Sequence, residues 1–248
     1  PLSLITTKGL IIKEDKVGEN DRLITILTSD NGIIRAFAPN ALKLRSQNIS
    51  ATQLLSYSRL VIYKGRDTYK VNEAQSIEIF FDLRYQIEAL ALAGYFCELL
   101  YDLAPKEDDG DAFLRLALNC LSFLCSGKVK RELLKSIFEL KICQYAGYMP
   151  DLSCCCACKQ DDIKNVWFDP YAGVVYCENC KPSPRAFRIS NSVFAAMRHI
   201  LYTQGAKLFA FDLKNGAENE LSKVSETFVR IQTDREFKTL VYYNSINH

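Results

Sequence analysis

The stretch LITILTSDNGIIRAFA, Leu23 to Ala38, reads as two short strands joined by a turn. Leu23 to Thr28 and Ile33 to Ala38 are dominated by β-branched and apolar residues. Asp30-Asn31-Gly32 between them is hairpin chemistry, because Asn and Gly accept the positive φ that tight turns require. Segments of the same kind lie on either side, at Leu4 to Ile12, Leu60 to Tyr63 and Thr68 to Ile79. Five short strands in about 80 residues predict a small barrel of the five-stranded OB type, with an SH3-like barrel as the other candidate.

After Phe81 the apolar period changes from strand to helix. Leu83, Ile87, Leu90, Gly94, Cys97 and Tyr101 recur at helical spacing, and Phe113, Leu116, Ala117, Cys120, Leu121 and Leu124 form a second stripe that stops at Gly127. A third helix starts near Val129, turns Leu133, Leu134, Ile137, Phe138 and Leu140 inward, and ends before Gly147 and Pro150. Two more follow, from Ser190 to Gln204 and from Ala217 to Ile231, the last with a pattern that can be continued to Tyr243. The expected fold class is α+β: an OB barrel over 1–80, a helical domain over 81–149, a cysteine-rich module over 150–184 and the rest of the helical domain over 185–248.

The module at 150–184 is short of apolar bulk. Its cysteines, Cys155, Cys158, Cys177 and Cys180, follow C-x2-C-x18-C-x2-C, a spacing typical of four-thiolate zinc sites. Each x2 pair chelates one ion through a tight knuckle, and Val166 to Phe168 can pair with Val174 to Tyr176 around Asp169 to Gly173, giving a zinc-ribbon-like unit. Four thiolates close the coordination shell, so one structural Zn2+ is expected and no zinc chemistry. Cys154 and Cys156 offer alternative thiolates in the same run. Cys97, Cys120, Cys125 and Cys143 fall in helical, mostly apolar stretches and read as small core hydrophobes.

Composition excludes several classes. Among 248 residues, 48% are hydrophobic and 24% charged, as in ordinary folded proteins. No apolar run reaches the roughly 20 residues of a membrane span, and Pro1 to Lys13 shows no secretory signal, so a cytoplasmic, membrane-free protein is expected. The two histidines, His199 and His248, have no recognisable catalytic partner, and neither a phosphate-binding loop nor a metalloprotease signature occurs. Paired acids such as Asp108/Asp109 read as solvated loop residues rather than a nuclease centre. No catalytic residue is assigned and the chain is not expected to be an enzyme.

Net charge is +2, with the basic excess at the amino terminus: residues 1–80 carry 11 Lys and Arg against 8 Asp and Glu. Lys8, Arg59, Lys64 and Lys70 are interleaved there with Phe37, Tyr57, Tyr63 and Tyr69. Cations for phosphates and aromatic faces for bases suit single-stranded nucleic acid. Lys43 and Arg45 are the first candidates for phosphate contact, and Arg22 and Arg35 the next, with Arg22 also placed to pair with Glu19 or Asp21.

Several stretches in order resemble the RecO family of bacterial recombination and repair mediators. They are Glu19-Asn20-Asp21-Arg22-Leu23-Ile24-Thr25, the turn before Gly32, the basic loop Lys43 to Ser46, Gly147-Tyr148-Met149-Pro150-Asp151-Leu152 with the cysteine pairs beyond it, and Phe237-Lys238-Thr239-Leu240. The resemblance implies an amino-terminal OB fold, a helical domain and an embedded zinc module. It also implies binding to single- and double-stranded DNA, annealing of complementary strands, engagement of the acidic tail of the single-strand-binding protein, and joint action with RecR in loading RecA, in a bacterial, nucleoid-associated setting. The loop Pro39 to Ser46 departs from the family in lacking a glycine and its fuller basic character, which implies weaker DNA affinity or greater reliance on RecR. A zinc-ribbon accessory factor of transcription or the ribosome, and a protein-interaction scaffold, are the competing readings.

Overall fold

The structure is a computed structural model describing residues 3–43, 46, 48–65, 68–180 and 182–247. Five strands, β1 (Ser3–Val17), β2 (Asp21–Thr28), β3 (Gly32–Ala38), β4 (Ser56–Lys64) and β5 (Tyr69–Ile79), close into a barrel of order β1-β2-β3-β5-β4. One long strand makes the closure possible. The first half of β1 runs antiparallel to β4, from Leu4 opposite Tyr63 to Leu10 opposite Tyr57, and its second half runs antiparallel to β2, ending with Val17 opposite Asp21. A bulge between Ile11 and Lys13 bends the strand where it changes partner. The parallel contact of β3 with β5, Ala36 opposite Tyr69 and Phe37 opposite Lys70, shuts the last gap. Five strands in this order make the OB barrel expected from the sequence.

Strand alternation sends Ile24, Ile26, Ile34, Ala36, Leu60, Ile62 and Val71 into the barrel, where Ile11 joins them. The hairpin at Asp30-Asn31-Gly32 forms as expected. Gly32 has φ +55°, Asn31 N donates to Thr28 Oγ1 at 3.1 Å, and Thr28 Oγ1 donates to Gly32 O at 2.8 Å. Glycine is required there for a second reason: a Cβ on Gly32 would collide with the carbonyl of Pro105, which accepts a 2.8 Å bond from Ile33 N.

The chain gathers into two compact units, residues 1–126 with 237–248, and residues 127–236. In the first, α1 (Ile87–Leu103) and α2 (Asp111–Ser126) accompany the barrel, and α1 packs on the terminal α6 (Lys238–Ile246). Tyr95 and Phe237 meet edge to face at 5.7 Å, and Glu98 Oε2 accepts from both the backbone N and the hydroxyl of Thr239. The Phe237 to Leu240 segment is therefore the clasp that returns the chain terminus to α1.

In the second unit α3 (Arg131–Tyr145) packs against α4 (Asn191–Tyr202) and α5 (Ala217–Thr233). A four-stranded sheet of order β6-β8-β7-β9 lies in the same unit, with β6 (Asp151–Cys155), β7 (Trp167–Asp169), β8 (Val174–Tyr176) and β9 (Phe187–Arg188). The one-sided apolar stripe read for α3 is too narrow. Every residue from Leu133 to Cys143 is buried, Lys135, Glu139 and Lys141 included. Lys135 Nζ reaches Glu139 Oε1 at 2.9 Å and Glu226 Oε2 at 3.0 Å, and Ser225 Oγ donates to Glu139 Oε2 at 2.6 Å. Charge compensation across α3 and α5 is what permits the burial of Lys135 and Glu139.

Removing one member of that network should cost far more than replacing both. Glu139→Ala is expected to destabilise the protein by about 3–5 kcal/mol, because it strips a buried ammonium of its principal carboxylate. The paired change Lys135→Met with Glu139→Leu should lie close to the parent in urea unfolding.

Candidate metal centre and nucleic-acid interface

The metal module is assembled by local hydrogen bonding around its thiols. The turn after α3 is made by Gly147, φ +90°, and by Tyr148 N donating to Cys143 O at 2.8 Å. Asp151 then accepts from Ser153 Oγ and Ser153 N, which hold its carboxyl below the usual range, and Asp151 N donates to Gly173 O at 2.7 Å. Asp169 Oδ1 caps the β7–β8 turn through the N–H groups of Tyr171 and Ala172. Phe168 stands opposite Val175 as the sequence pairing requires, while β6 and β9 flank the expected two-stranded ribbon.

These turns bring the Sγ atoms of Cys155, Cys158, Cys177 and Cys180 within 4.8 Å of one another. A tetrahedron of sulfurs about 2.3 Å from a central ion has edges of about 3.8 Å. Cys158 Sγ and Cys177 Sγ stand 3.7 Å apart. Burial pushes the Cys155 thiol up, but the N–H groups of Cys158, Cys177 and Ala157 outweigh it and bring it down to about 6. Cys180 is driven the other way, to about 12, by its crowding against Cys177, Cys158 and Cys155. Four sulfurs this close cannot all ionise without a cation among them, so the donor set fits a soft metal ion in a closed shell. Cys154 and Cys156 fall outside the cluster.

The helical cysteines are chemically different. Cys97, Cys120 and Cys143 are buried and Cys125 half-buried; burial raises all four, Cys97 and Cys143 to about 12. They behave as apolar packing groups. His199 faces the Lys207 carbonyl at 3.0 Å and stacks near Phe211, and His248 lies outside the described residues.

The four cations singled out on the barrel do not form one cluster. Arg35 is exposed in the middle of β3, opposite Thr25, and Lys43 is exposed on the connection that follows β3. Arg45 lies outside the described residues. Arg22 is placed for support, with its side chain 12% exposed. Its Nη1 donates to Ile49 O at 2.8 Å and Thr52 Oγ1 at 3.1 Å, and its Nε meets Glu14 Oε2 at 3.4 Å. The pairing partner is thus Glu14 rather than Glu19 or Asp21. Asp21 instead accepts from Asn40 N at 2.6 Å, and Asn20 O accepts from Leu42 N at 2.8 Å.

The motif Asn20-Asp21-Arg22 therefore clamps both ends of the connection between β3 and β4, on which Lys43 is carried. The clamping role of Glu14, Asn20 and Asp21 is not legible in the sequence, because the backbone N–H groups of the connection that they hold, those of Leu54, Leu42 and Asn40, lie 19 to 40 residues away along the chain. Arg22→Ala should release the connection. The expected result is faster protease cleavage between residues 39 and 55 and a loss of about 1.5–3 kcal/mol in urea unfolding, the cost of hydrogen bonds made by a charged donor.

Comparison with known proteins agrees with this geometry. Residues 2–80 match the family model described as Recombination protein O N terminal, and residues 84–240 match Recombination protein O C terminal. The protein named DNA repair protein RecO from Caldicellulosiruptor bescii is 30% identical over 245 residues, covering 99% of this chain and 100% of that protein. Those of Acetivibrio thermocellus and Clostridium novyi are each 29% identical, covering 99% and 98% of this chain and 98% and 94% of the respective relatives. With both halves of the chain matched and the barrel, helices and cysteine cluster in place, the chain belongs to the RecO family.

Proposed function

We propose that the chain is a DNA-binding recombination and repair mediator that anneals complementary single strands and, with RecR, helps load RecA onto DNA coated with single-strand-binding protein. The observation that carries this reading is the closed OB-type barrel whose β3–β4 connection is clamped by Asn20, Asp21 and Arg22 while Lys43 stays exposed. A fixed connection presents its cation at low entropic cost when a phosphate arrives. The names of the relatives support the DNA-repair role.

In this mechanism Lys43, Arg45 and Arg35 contact phosphates, and Arg22 holds the connection that carries Lys43. Neutralising phosphates lowers the repulsion between two strands and lets them pair. No step calls for a nucleotide or a catalytic side chain. Among the described residues no helix is long and apolar enough to cross a membrane. Cys155, Cys158, Cys177 and Cys180 would hold Zn2+, whose tetrahedral preference matches four thiolates and which brings no redox chemistry to a structural role. Bound there, it would link the chain around β6 to the chain after β8 and support the small sheet.

Two measurements test these assignments. For oligothymidine binding, Lys43→Ala with Arg45→Ala should flatten the plot of log K against log salt by about 1.4, at roughly 0.7 per lost phosphate contact on single strands. An unchanged slope would place the DNA site elsewhere. Metal analysis of freshly purified protein should find one zinc per chain, and chelation should melt the sheet β6–β9; metal-free protein with that sheet intact would remove zinc from the account.

A further inference from the structure

On the outer face of β1, β4 and β5, register sets Lys8 directly opposite Arg59, and Arg59 directly opposite Gln75, all three exposed. Side chains so placed stand about 4.5–5.5 Å apart at Cβ, and like charges directly opposite destabilise a sheet. The place across from Arg59 where an acid would offset its charge holds Gln75 instead. Among the described residues neither Lys8 nor Arg59 makes an ion pair. Glu73 lies diagonal to Arg59 on this face and makes no ion pair with it; a like-charge pair so weakly offset is a local inconsistency of the sort that functional sites tolerate, and a bound polyanion relieves it.

The same face continues through Thr6, Val61 and Glu73 to Leu4, Tyr63 and Lys70. A groove of about 720 Å³ lies along it, with Arg59, Asn72 and Gln75 on the strands and Asn48 and Ser50 on the clamped connection. Amides and hydroxyls that both donate and accept suit sugars and base edges better than an apolar ligand. In the barrel order β4, which carries Arg59 and Tyr63 at the centre of this face, borders β1 and β5 but neither β2 nor β3, so a strand bound along β2 and β3 runs beside this face rather than over its centre.

We propose that this face holds a second DNA strand by its phosphates, with Lys8 and Arg59 as the principal contacts and Glu73 as the group that limits affinity. The proposal rests on the nucleic-acid reading of the barrel and extends it to a second binding surface. Two strands carried by one barrel meet at an effective concentration on the order of millimolar, which speeds their pairing without further contacts.

The test uses the full chain and three variants. Titration with short oligothymidine should saturate at two strands per parent chain and at one for Lys8→Ala with Arg59→Ala. That variant should keep first-strand affinity within about twofold while annealing of complementary oligonucleotides slows about tenfold. The charge-preserving pair Lys8→Arg with Arg59→Lys should restore annealing. Glu73→Gln should speed it by about threefold, a gain that misfolding cannot imitate.

Unchanged stoichiometry and annealing in the alanine variant overturn the second strand site. First-strand affinity falling in step with annealing also overturns it, by putting the face on the first strand's path. A parent chain that binds a single strand overturns this inference alone, whereas a parent that binds none overturns the DNA-binding reading as well.

Discussion

The barrel depends on one strand serving two partners. β1 pairs with β4 through its first half and with β2 through its second, and the bulge between Ile11 and Lys13 supplies the bend. Without that change of partner the sheet would keep two open edges, each a row of unpaired backbone groups and a site for pairing with other chains. With it, the apolar residues of all five strands share one interior. The outward positions are then free to carry cations, as Lys8, Arg35, Arg59 and Lys70 do. Closure also fixes the point where the chain leaves β3, and so the connection that Arg22, Asp21 and Asn20 hold.

The small sheet of the second unit rests on a different constraint. Its strands have two to five residues and bury few large apolar side chains, among them Phe168, which packs with Phe187 at 6.1 Å and Phe228 at 5.8 Å. Sheets this slight need an outside source of stability. Four thiols within 4.8 Å of one another would provide it with an ion among them. Cys155 gives up its proton readily to a ring of N–H donors, while Cys180 keeps its own against three neighbouring sulfurs. A dication held there would convert that mutual repulsion into cohesion.

Within the helices of that unit, buried charge specifies how α3 meets α5. An apolar seam tolerates sliding by a turn, whereas Lys135 has its carboxylates at Glu139 and Glu226 in only one register. Lys141 adds a second fixed point by donating to Leu201 O at the end of α4 and to Gln144 Oε1; burial lowers its proton affinity. Both lysines limit the arrangements open to the three helices.

What the sequence determined by itself is what depends on near neighbours. The turn at Asp30-Asn31-Gly32, the helical stripes and the C-x2-C pairs are local patterns, and each forms where its spacing placed it. The C-x2-C spacing points to Cys155 but leaves Cys154 and Cys156 as alternatives; it is the fold that brings Cys155, and neither of its neighbours, within 4.8 Å of the other three sulfurs. The tertiary structure alone decided the parallel closure of β3 on β5, the strands β6 and β9, the full burial of α3 and the supporting role of Arg22. It also decided that Lys8 faces Arg59. In each case the partner lies far along the chain, and an isolated arginine or lysine carries no mark of whether a carbonyl, a carboxylate or another cation will fold against it.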